Sequence, residues 1–66
     1  MPEPLPDLVE HSLQIAWDYL ERTGQIEDQA KTAEFLIWNI RGQLLTGERR
    51  PLLISNRAII AHRQRS

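Results

Sequence analysis

No cysteine occurs in this chain, which excludes disulfide staples and thiolate metal or redox centres, the devices that hold many small secreted domains together. A reducing, cytoplasmic setting is the expectation that follows. Glycine is scarce and scattered: Gly24, Gly42 and Gly47 each stand alone, so no glycine-rich loop is available to cradle a phosphate. Long apolar runs are missing too. The N-terminal MPEPLPDLVE has no basic region leading into an apolar one, and no stretch approaches the ~20 apolar residues that span a bilayer. The sequence therefore predicts a soluble protein with no membrane partner.

Chemistry-bearing groups are equally sparse. His11 and His62 are the two imidazoles, one in each terminal region, whereas a metal site draws on three or four ligands with an oriented second layer. His11 with Glu10 or Asp7 is the one candidate pairing, but the adjacent Glu10 and His11 point about 100° apart on a helix and the set falls short of a full ligand shell. Ser12, Ser55 and Ser66 lie in no glycine-flanked nucleophile elbow. Glu27 and Asp28 form a carboxylate pair, but at a position where a helix start explains them. The sequence predicts no enzyme, no catalytic residue, no cofactor, no metal and no small-molecule substrate.

What is present is a single short domain with its charge sorted along its length. Residues 1–34 hold eight acids against Arg22 and Lys31, while residues 35–66 hold six arginines against Glu48, so the net charge of -1 hides a polarised molecule. Hydrophobic residues make up 41% of the chain and charged ones 26%, proportions of a folded domain rather than a disordered one. With 66 residues the core is small, because a domain of this size hides only about 60% of the surface its unfolded chain exposes.

The hydrophobic periodicity is helical throughout. Residues 1–6, with Pro2, Pro4 and Pro6, read as an extended lead-in, and Asp7 reads as the N-cap of a first helix over about 8–22, with Glu10 reaching back to it. Val9, Leu13, Ala16 and Leu20 form its inward stripe, widened by Leu8, Ile15 and Tyr19, and Thr23-Gly24 ends it. A second helix over about 29–46 is capped by Asp28 and stopped by Gly47. Ile26, Ala30, Ala33, Ile37, Ile40 and Leu44 repeat along it at alternating spacings of four and three, leaving Phe35, Leu36, Trp38 and Leu45 off the seam. Gly42 in its interior costs about 1 kcal/mol relative to alanine. After Pro51, Leu52 to Ile54 read as an extended apolar segment, and Ser55 as the cap of a short third helix over about 56–63 with Ile59 and Ile60 facing inward. The predicted fold is all-α: an antiparallel helical hairpin with a short C-terminal third helix packed across it, one domain over 1–66.

The second helix carries more apolar surface than the first helix and a short third one cover. Two arrangements account for the surplus: the C-terminal segment folds back over the hairpin in the same chain, or a second copy covers it, acidic end against basic end. The functional expectation is a small interaction module acting through a homodimer or a protein partner, with Phe35, Trp38, Leu45, Arg49, Arg50 and Arg57 as contact residues. The alternative is a nucleic-acid-binding or regulatory protein using Arg49, Arg50, Arg57, Arg63 and Arg65 as phosphate contacts, since the guanidinium fork suits phosphate. Against it, the connection from Gly47 to Ile54 is about twice the three or four residues of a helix-turn-helix turn.

The stretch GERRPLLISNRAI resembles the C-terminal part of short helical proteins of bacteria, particularly alphaproteobacteria, whose function is uncharacterised. The resemblance implies a bacterial, cytoplasmic origin. It brings no activity, cofactor or binding residue with it.

Overall fold

A computed structural model describes residues 4–65, and Pro2 and the rest of 1–3, with Ser66, lie outside the described residues. Three helices make up the architecture: α1 over Leu5–Arg22, α2 over Gln29–Leu45 and α3 over Pro51–Arg65. Each packs against the other two, and the all-α fold expected from the periodicity is what is found. No strand occurs among the described residues.

Both chain reversals are closed by the same device. At the end of α1 the Gly24 N–H donates to the Glu21 carbonyl at 3.1 Å and the Gln25 N–H to the Leu20 carbonyl at 2.9 Å. At the end of α2 the Gly47 N–H donates to Leu44 at 3.0 Å and the Glu48 N–H to Gln43 at 3.2 Å. These are the paired bonds of a Schellman motif, which needs a left-handed residue just past the helix. Gly24 at φ 70° and Gly47 at φ 99° supply it. The preceding threonines tighten each end, Thr23 Oγ1 donating to the Tyr19 carbonyl at 2.9 Å and Thr46 Oγ1 to that of Gln43 at 2.7 Å.

The helix starts depart from expectation at two of three places. Asp28 caps α2 as its sequence position suggests, accepting from the Lys31 N–H at 3.0 Å. Asp7, however, is not the cap of α1. The helix begins two residues earlier, at Leu5, with Pro6 in its first turn and Asp7 behind it. Proline is tolerated there because the N–H it lacks has no intrahelical partner anyway. The third helix likewise starts at Pro51 rather than 56. Leu52, Leu53 and Ile54 form its first turn instead of an extended segment, and Ser55 is a buried mid-helix residue whose hydroxyl donates back to the Leu52 carbonyl at 2.9 Å. Pro51 at the first helical position is itself a start signal, its fixed φ suiting the first turn.

The core rows also differ in detail. Buried positions on α1 are Leu8, Ser12, Ala16 and Leu20, and on α2 Thr32, Leu36, Ile40 and Leu44. Both sets step by four, the ridge that interdigitates with a neighbouring helix. Leu36, read as off the seam, is fully buried, whereas Ala30 is exposed. Ile59 is buried as expected and Ile60 is half exposed, its place taken by Ile54 and Ala58. Small residues at Ser12, Ala16, Ser55 and Ala58 keep these ridges low where the helices meet. Val9, Leu13, Trp17, Ile26 and Phe35 pack around the core's rim.

Candidate interaction surface

Because α2 buries the row through Leu36 and Ile40, its opposite side must face away from the bundle. That side carries Glu34, Trp38, Arg41, Gly42 and Leu45, all exposed. Trp38 is 65% exposed and Leu45 88%, one heptad apart and so on one face. The Arg41 guanidinium lies 5.4 Å from the centre of the Trp38 ring, a cation–π arrangement that holds the indole without covering it. Gly42 sits between the two apolar groups. A Cβ there would meet nothing within 4 Å, and its φ is not positive, so neither packing within the chain nor backbone conformation accounts for it. On α3, Leu52 and Ile60 are outward apolar residues as well.

The connection from α2 to α3 is organised by one carboxylate. Glu48 Oε2 accepts from the backbone N–H groups of Arg49 at 3.0 Å and Arg50 at 3.1 Å and from Arg50 Nε at 3.1 Å. Its other oxygen accepts from Arg50 Nη2 at 3.3 Å and faces Arg57 Nη1 at 3.5 Å. The Arg50 guanidinium, seconded by the Arg50 N–H, holds the Glu48 carboxyl well below its ordinary range, at about 2, against an opposing push from burial. The carboxylate reciprocally raises Arg50. Arg49 turns the other way: its Nη1 donates to the Leu44 carbonyl at 2.9 Å and to that of Glu48 at 2.8 Å, placing a cation at the negative end of α2.

At the opposite end of the bundle a cavity of about 540 Å³ runs along Gly24, Asp28, Lys31, Thr32, His62 and Arg65, and a second of about 350 Å³ along Lys31, Glu34, Phe35, Trp38 and Arg65. Lys31 and Arg65 border both. The Arg65 guanidinium stands 4.4 Å over the Phe35 ring, and His62 meets the same ring edge-on at 6.1 Å between centres. The His62 Nδ1 is buried without a hydrogen-bond partner. Among the described residues no group of three or more His, Asp or Glu side chains converges as a metal site would require.

The six expected contact residues thus divide. Trp38 and Leu45 share the outward face of α2; Phe35 lies at its edge beneath Arg65; Arg49, Arg50 and Arg57 gather around Glu48 and the end of α2. The five arginines weighed as phosphate contacts are spread along α3, with Arg49 and Arg50 just before its start, Arg57 midway and Arg63 and Arg65 at its end, Arg57 and Arg63 being about 9 Å apart along the axis at 1.5 Å per residue. Glu48 itself escaped notice as an organiser, although a lone acid among arginines was the available signal. Lys31, Arg41 and His62 carried none, since a cation–π contact and a shared cavity depend on helix placement. Scans of this chain against protein-family models, curated proteins and solved structures find no match.

Proposed function

We propose that this protein is a small non-enzymatic interaction module, acting through a homodimer or a protein partner, whose working surface is the outward face of α2. The observation that carries the reading is the pairing of Trp38 with Leu45, 65% and 88% exposed on one helical face. Single exposed apolar residues are ordinary. Here, though, a tryptophan with an arginine stacked on it and a leucine one heptad further share one stripe, and tryptophan and arginine are the residue types that dominate contact energies. Burying such side chains is worth about 1.5–3 kcal/mol each, and the fold leaves that gain untaken. The cysteine-free composition supports a cytoplasmic setting, and the resemblance of GERRPLLISNRAI supports a bacterial one. Among the described residues no helix is long and apolar enough to cross a membrane.

The test compares the wild type with Trp38→Ser and Leu45→Ser, by molar mass across a concentration range and by capture of host proteins on immobilised chain. Association of either kind that both substitutions weaken supports the reading. No association, or association that neither variant changes, sinks it.

A second reading has one observation behind it. Phe35 and Trp38 line one groove together with Lys31, Arg65 and one acid, Glu34, and rings beside cations are the composition of a surface on which single-stranded nucleic acid stacks. Titrating single-stranded oligonucleotides at low salt decides it: binding that falls steeply as salt rises supports it, and no binding at low salt removes it.

A further inference from the structure

We infer that the cavity between the start of α2 and the end of α3 binds a small zwitterion of the amino-acid or dipeptide class, its ammonium beside Glu27 and Asp28 and its carboxylate between Lys31 and Arg65. The site is separate from the outward face of α2 and does not rest on the interaction-module reading. Its volume of about 540 Å³ lies within the ~300–1,000 Å³ usual for small-molecule sites.

Charge is what selects the ligand. Glu27 and Asp28 precede the first turn of α2, and Asp28 is fixed there by the bond it accepts from the Lys31 N–H at 3.0 Å. Lys31 lies on that first turn and Arg65 in the last turn of α3, and all four side chains border the cavity. None of the four is in an ion pair among the described residues, where the pairs gather on Glu48 instead. A ligand of one sign would answer one pair and be repelled by the other, whereas a ligand carrying both signs answers both.

The cationic side is held in place before any ligand arrives. His62 and Arg65 are three residues apart and so share a face of α3. The Phe35 ring meets both, with the Arg65 guanidinium 4.4 Å over it and His62 edge-on. Stacking restricts the guanidinium, so less freedom is left for a ligand to remove.

Thr32 supplies an independent sign that the cavity takes a polar group. It lines the space although it is only 5% exposed. Its hydroxyl makes no hydrogen bond among the described residues, yet it is not one of the orphan atoms sealed from solvent, which belong to Ser12, Gln43 and His62. The cavity is therefore what reaches it, and a buried hydroxyl open on one side calls for a hydrogen-bonding guest.

NMR of the full chain titrated with glycine and with glycylglycine tests this residue by residue. Saturable shifts confined to residues 24–32 and 62–65 are expected, and Glu27→Gln, Lys31→Ala and Arg65→Ala should each raise the dissociation constant about tenfold. All three side chains are exposed, so the fold stands without them. Acetate, methylamine and inorganic phosphate carry one sign each and should bind about tenfold more weakly than the zwitterions. Acetate or phosphate binding as tightly as glycylglycine overturns the zwitterion as ligand. Absence of saturable shifts with both zwitterions, or saturation that the three variants leave unchanged, overturns the site.

Discussion

The Gln43 side-chain amide donates to the Ile54 carbonyl at 2.9 Å, fastening the end of α2 to the first turns of α3. The same nitrogen donates to Asn39 Oδ1 at 2.8 Å, while Gln43 Oε1 is buried with no partner. All of the amide's value is in its N–H groups. Gln43→Glu replaces the donor with an acceptor facing two oxygens, and a cost of about 2–3 kcal/mol at neutral pH is expected. Protonation restores a donor, so the loss should shrink on acidification. Urea unfolding at pH 7 and pH 4 checks both parts; a deficit that is equal at the two pH values contradicts the donor role.

Glu48 sets an acid limit to stability. Its folded-state pKa of about 2 lies below the ordinary 4.5, so the folded chain holds this proton less readily than the unfolded one. The contribution is complete above about pH 4.5 and is lost as pH falls from there through 2. Thermal unfolding of the wild type and of Glu48→Gln should show a gap at pH 6 that narrows across this window. A gap that is constant with pH would show that the carboxylate's charge is immaterial to the turn.

Ser12 is fully buried in α1 and its hydroxyl has no partner. Ser12→Ala removes an unsatisfied donor and improves helix propensity, and a gain of about 1 kcal/mol is expected. Thermal unfolding reads it directly, and a lower midpoint would mean that the site needs its oxygen.

Leu36 and Trp38 make an internal control for the core. Leu36→Ala should cost about 2–5 kcal/mol, the range for a buried leucine, and Trp38→Ala about 0.5 kcal/mol or less in the monomer. Chemical unfolding at low protein concentration separates them. Equal costs would contradict the assigned faces of α2.

Much of this architecture is legible in the sequence, and where it is not the reasons are specific. Asp28, Gly24 and Gly47 announce their helix ends because caps and left-handed closures are local chemistry. The start of α3 is misread because Pro51 followed by Leu-Leu-Ile suits both an extended segment and a first helical turn. On α2 nearly every turn offers apolar residues on two sides, so periodicity leaves open which row faces inward, and the neighbouring ridges of α1 and α3 choose Leu36 and Ile40. Trp38 and Leu45 stand out because they lie off the seam, but so does Leu36, which is buried, so the pattern alone does not tell the outward residues from the inward one. The Phe35–Arg65 stack depends on how the third helix lies, which no local pattern records, whereas the Glu48 turn is made mostly within residues 48–50 and was open to a local reading.

The two Schellman closures carry a kinetic consequence. Each reversal is sealed by bonds between residues three to five apart, so the helices are brought together at short sequence separation with little loop entropy to overcome. Helical bundles of this kind reach their native arrangement in microseconds to milliseconds. At micromolar concentrations two molecules meet more slowly than that, with association rate constants of about 10⁵–10⁷ M⁻¹s⁻¹ being usual. Each chain is then complete before it encounters another molecule, and Trp38 and Leu45 are presented on an already folded surface.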